Sequence, residues 1–112
     1  MSKFLPQNFD ASKTLVLIAG QGFYPTLLAQ RAKSSGINLR LIELGGETSE
    51  ELVQSFPANE RSVVKVGQVG KLLKELKKFN AGYAVMAGQV TPGKLFRGLQ
   101  PDLKAIRMLA GL

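Results

Sequence analysis

The chain has 112 residues, of which 45% are hydrophobic and 21% charged, a balance that fits one globular domain able to bury its own core, with no room for a second. It contains no cysteine and no histidine, which excludes disulfides, thiolate catalysis, Cys-rich zinc sites and histidine general-base chemistry, and makes a reducing cytoplasm the expected setting. Fifteen basic against eight acidic residues leave a net charge of +7, an attraction to phosphate, acidic headgroups or nucleic acid that does not choose among them.

The start, MSKFLPQNFDASK (residues 1–13), lacks the long apolar stretch of a secretory signal and reads as a short tail. No run of about 18 apolar residues follows anywhere, so no helix is expected to span a bilayer. TLVLIAG (14–20) is a β-branched and aliphatic run too short for a helix, the pattern of a strand buried on both faces. After a turn through Gly20 and Gly22, Pro25 suits a first helical position, Leu27, Leu28, Ala29 and Ala32 form an apolar stripe, and Gly36 is the expected stop. INLRLIEL (37–44) returns to strand. GGETSEELVQSF then predicts a turn and a helix capped by Thr48 or Ser49, with Glu50 and Glu51 at its positive end and Pro57 closing the unit.

SVVKV (62–66) is the third predicted strand, and GQVGKLLKELKKFN the clearest helix, with Val69, Leu72, Leu73, Leu76 and Phe79 at spacings of three and four. GYAVMAG (82–88) is the fourth strand. Strand and helix alternate three times, so residues 14–112 are expected to form a Rossmann-like α/β domain: an open, mostly parallel sheet of about four strands flanked by helices. QVTPGKLFRGLQ reads as a turn-rich loop. PDLKAIRMLAGL reads as a terminal helix started by Pro101 and Asp102, with Leu103, Ile106, Leu109 and Ala110 as its apolar stripe.

Ligands of such sheets bind beyond the carboxyl ends of the strands. Three of the predicted exits there, AGQGFYP, VGQVGK and MAGQVTPGK, each place a glutamine directly after a glycine, offering amide side chains beside exposed backbone N–H groups to an anionic or nucleotide ligand. The first exit departs from the dinucleotide fingerprint, with Pro25 where a third glycine is expected, although Glu43 lies about twenty residues on, where a ribose-binding acid would. Glu43 is equally an ordinary strand-end residue. Lys71, Lys74 and Lys78 lie opposite the leucine stripe, as a solvated helix face does; only Lys71, at the helix start, is placed to reach a phosphate. The aromatic residues are not interleaved with the basic ones, so nucleic acid is not expected as a partner. The eight acidic residues include no paired motif, and only Glu43 and Asp102 are expected near the carboxyl rim, so no self-sufficient active site is visible.

LIAGQGFYPTLLAQRAKSSG, VGQVGKLLKELKK, VMAGQVTPGKLF and PDLKAIRML, in that order, resemble the amino-terminal domain of the bacterial UDP-2,3-diacylglucosamine pyrophosphatase of the I type, from about Thr14 onward. The resemblance implies a role in lipid A biosynthesis: hydrolysis of the substrate diphosphate to lipid X and UMP with a divalent metal such as magnesium. It further implies a distinct C-terminal domain that carries the essential aspartate, so that residues 1–112 alone would bind substrate without cleaving it. No cofactor is then expected on this domain itself. On this reading the substrate-binding residues are Gly20, Gln21, Gly22 and Phe23 in the first loop, Gly67, Gln68 and Lys71 in the second, Gly88, Gln89 and Val90 in the third, with Glu43 and Lys94. Lys94 and Arg97, beyond the third loop, are both weaker members, for contact with the diphosphate or the membrane surface. A homodimer, and peripheral attachment to the inner membrane through basic charge, are further expectations. The alternative is a stand-alone nucleotide-binding or sensing module of the same fold.

Overall fold

The computed structural model describes residues 10, 12–89 and, for the backbone, 107–110. Four parallel strands, β1 (Thr14–Ala19), β2 (Leu39–Leu44), β3 (Arg61–Val64) and β4 (Ala81–Ala87), are joined by helices α1 (Tyr24–Ser34), α2 (Glu50–Gln54) and α3 (Val69–Lys78). A fifth strand, β5 (Arg107–Ala110), lies antiparallel to β4. The order across the sheet is β3-β2-β1-β4-β5, so the chain winds outward from β1 to β3 and then crosses back to β4. This is the open, Rossmann-like α/β architecture, and its direction reverses between β1 and β4.

β1 has five consecutive buried residues because apolar layers cover both its faces. Leu15, Leu17 and Ala19 join Leu28, Ala29, Ala32, Leu52, Val53 and Phe56 under α1 and α2. Val16 and Ile18 join Ile42, Leu44, Val64, Leu72 and Leu76 under α3. The strand period of two deals successive residues to opposite layers.

Local chemistry accounts for most boundaries. α1 ends where Gly36 takes φ +75°, as the stop read from its glycine. Ser49 caps α2 by accepting from Leu52 N–H, and the guanidinium of Arg61 donates to Val53 O at the other end of that helix. Lys33 binds α1 to α2, its ammonium donating to Ser55 O and lying 4.0 Å from the centre of the Phe56 ring.

Two expectations are corrected. The terminal helix expected over 101–112 is contradicted at 107–110, which forms β5; residues 101–106 and 111–112 lie outside the described residues. Helical spacing of Leu103, Ile106 and Leu109 was a local signal, whereas β4 offers Tyr83–Met86 as an edge whose N–H and C=O groups need partners. On α3, Val69 and Leu73 are not core residues: they are 40% and 52% exposed, and the buried arc runs through Leu72, Leu76 and Glu75. Glu75 tolerates burial because the Ser62 hydroxyl donates to it at 2.6 Å and Lys78 Nζ lies 3.8 Å away.

Candidate functional site

Because β1 to β4 are parallel, their carboxyl ends share one rim, and the reversal between β1 and β4 brings the first and third glycine–glutamine exits side by side. They are zipped together. Gln21 N–H donates to Gln89 O at 2.6 Å, Gln89 N–H donates to Gln21 O at 3.1 Å, and Gly20 N–H donates to Ala87 O at 2.8 Å. The close approach demands glycines. A Cβ on Gly20 would stand 2.5 Å from Gln89 O, and one on Gly88, whose φ is +97°, would stand 2.7 Å from Gln21 O.

The β2 exit supports this pair. Gln21 Nε2 donates to Glu47 Oε1 at 2.8 Å, and Thr48 Oγ1 donates to Ala19 O at 2.6 Å while accepting from Leu44 N–H at 2.8 Å. Glu47 and Thr48 were missed in the sequence, where Thr48 read only as a capping alternative to Ser49. Their spacing after β2 carries no pattern that marks contact with a loop 26 residues away.

Against the zipped exits opens a cavity of about 380 Å³ lined by Gln21, Gly22, Phe23, Tyr24, Gly88 and Gln89. Phe23 is 65% exposed and Tyr24 41%, so the cavity wall is partly aromatic. Gly22 at φ +97° precedes Phe23 at φ −87°, ψ −18°, and that reversal of sign turns successive amides into a concave nest. The N–H groups of Gly22, Phe23 and Tyr24 have no acceptor among the described residues. The same amides open α1, which has no side-chain cap and no acid in its first turn. Among the described residues no side chain therefore neutralises the positive end of that helix, which suits an anion.

The remaining expected residues fall elsewhere. Glu43 is next to last in β2, level with Ala19 of β1 and half-buried on the α1–α2 side; it is Glu47 that touches Gln21. Gly67, Gln68 and Lys71 are exposed at the same rim beyond β3, at the sheet edge, two strand spacings or about 10 Å from the β1 exit. There Gln68 Oε1 accepts from Lys65 N–H at 2.9 Å and closes its own turn, so this amide is engaged locally. Gln21 is engaged too, through its backbone and its side chain. What it supplies to the rim is shape. Val90, Lys94, Arg97 and Asp102 lie outside the described residues.

Among the described residues no three His, Cys, Asp or Glu side chains gather as a metal site requires, and no helix is long and apolar enough to cross a membrane.

Residues 14–112 match the family model of the LpxI N-terminal domain, and the chain belongs to that family, a domain connected with lipid A biosynthesis. No curated protein matches the chain.

Proposed function

We propose that this member of the LpxI N-terminal domain family is the substrate-binding part of a UDP-2,3-diacylglucosamine pyrophosphatase, which hydrolyses the substrate diphosphate to lipid X and UMP. The observation that carries the reading is the nest at Gly22, Phe23 and Tyr24: three amides without an acceptor among the described residues, at the start of α1 and on the wall of a cavity at the sheet's reversal point. Such amides suit a diphosphate oxygen, and the exposed faces of Phe23 and Tyr24 suit a planar or apolar portion of the same molecule. Gln89, exposed beside them, adds an amide side chain, and Lys71, exposed beyond β3 on the same rim, is a longer-range cation.

In this reading the domain binds and orients. The Gln21–Gln89 pair and the Thr48 hydroxyl keep the nest from shifting as charge develops on the ligand, which is the condition for backbone amides to stabilise it. Magnesium and the carboxylate chemistry belong to the C-terminal domain of the enzyme, and the net charge of +7 suits work beside an acidic membrane on the cytoplasmic side.

A second reading, a stand-alone nucleotide-binding module, is favoured by Glu43 near the end of β2, level with Ala19. Calorimetry with UMP, UDP, a UDP-sugar and NAD separates the two. The pyrophosphatase reading expects uridine nucleotides to bind and Gln89→Ala to weaken them, with hydrolysis only when residues 1–112 are joined to a C-terminal domain. Tight NAD binding without uridine preference, or magnesium-dependent turnover by residues 1–112 alone, overturns it.

A further inference from the structure

α3 presents a surface that neither the core nor the carboxyl rim uses. Val69, Leu73 and Lys77 follow one another at intervals of four along one flank, and the first two are 40% and 52% exposed. Beside this flank a cavity of about 340 Å³ opens between the helix and the start of β4, lined by Leu73, Leu76, Lys77, Asn80 and Ala81. Lys71, Lys74, Lys77 and Lys78 are all exposed, whereas Glu75, the helix's one acid, is 8% exposed and held by Ser62. The outward charge of α3 is therefore wholly positive.

Two unfavourable features coincide on this face. An exposed leucine beside an apolar hollow leaves transfer free energy unrealised, and lysines three and four apart repel. Bulk solvent screens the second and does nothing for the first; a polyanion in water does the same. An anionic lipid surface relieves both, because its phosphates meet the ammonium groups while the layer beneath takes the apolar side chain.

We infer that the Val69–Leu73–Lys77 flank of α3 docks on an anionic lipid surface, with Leu73 entering the headgroup boundary and Lys74 and Lys77 meeting the phosphates. This deepens the membrane location named above and stands apart from the identity of the substrate.

The test is cosedimentation of the whole chain with phosphatidylcholine vesicles, with and without phosphatidylglycerol. The wild-type chain is expected to pellet only with the anionic vesicles and to be released by salt. Lys74→Gln/Lys77→Gln is expected to lower partitioning roughly tenfold or more, and Leu73→Ser several-fold, whereas removing two charges elsewhere, with Lys13→Gln/Arg31→Gln, has a smaller effect. All five positions are exposed, so circular dichroism and melting of the variants should match the wild type. Wild-type chain that stays in the supernatant with both vesicles overturns the proposal and leaves the uridine titration to judge the substrate reading by itself. Variants that pellet like the wild type overturn the role of this flank even if attachment is real. A Leu73→Ser change that converts a dimer to a monomer with vesicle binding unchanged assigns the flank to a second copy and likewise overturns it.

Discussion

Replacing Gly20 with alanine adds a single methyl group, but the structure leaves no place for it. The new Cβ would lie 2.5 Å from the carbonyl oxygen of Gln89, 2.9 Å from its carbon and 3.0 Å from its nitrogen. These are backbone atoms fixed by β4 and by the Gln21–Gln89 pair, so no side-chain rotation relieves the overlap. The two exits must part. Losing two backbone hydrogen bonds costs about 1 kcal/mol each, and the residual crowding adds roughly 1 kcal/mol more, about 3 kcal/mol in all. Gly70→Ala is the same chemical change with the opposite expectation: in the first turn of α3 nothing lies within 4 Å of the added Cβ, and alanine should stabilise by up to about 0.5 kcal/mol. Thermal melts of the two variants should diverge, at roughly 4 °C or more per kcal/mol for a domain of this size. Hydrogen exchange should show the Gln21 and Gln89 amides losing protection in Gly20→Ala alone. A Gly20→Ala chain that melts with the wild type and keeps both amides protected would refute the zipped geometry, and with it the account of how the nest is held.

Thr48→Val removes a hydroxyl that donates to Ala19 O and accepts from Leu44 N–H; denaturant unfolding should show a loss of about 1–3 kcal/mol, largely restored by Thr48→Ser. The side-chain hydroxyl of Ser12, 2.6 Å away, and then its backbone N–H hold the Asp10 carboxyl below its ordinary value of 3.8. A depressed carboxyl contributes stability that is intact above the unfolded value and fades as pH falls through the folded one, so any contribution from Asp10 disappears only below pH 3.8. Carboxyl NMR titration should find the Asp10 midpoint below 3.8 in the wild type and closer to it in Ser12→Ala; identical midpoints would disprove the assignment. Lys33→Met keeps the aliphatic stem but loses the charge over Phe56 and the bond to Ser55 O; chemical denaturation should register about 0.5–1 kcal/mol.

The four parallel strands and three helices were legible in the residues because their signals are local. A short, β-branched apolar run ended by glycine, such as TLVLIAG, has the length and composition of a doubly covered strand, and Gly36, Ser49 and Glu50 mark helix ends by their own backbone or side-chain chemistry. The glycine–glutamine exits were legible as a set, and parallel topology then puts them on one rim. Their pairing was not. That Gln21 meets Gln89 and Glu47, while Gln68 folds back on Lys65, depends on the sheet order, which sets β1 beside β4 and leaves β3 at the edge. The same holds for Glu75, buried by a serine on another element, and for Arg107–Ala110, whose helical spacing yielded to an open strand edge. Periodicity and capping act within a few residues of chain and can be read there. Which exits touch, which amides go unpaired and which apolar flank remains exposed follow from contacts between distant segments, and those exist only once the sheet has closed its hydrogen bonds.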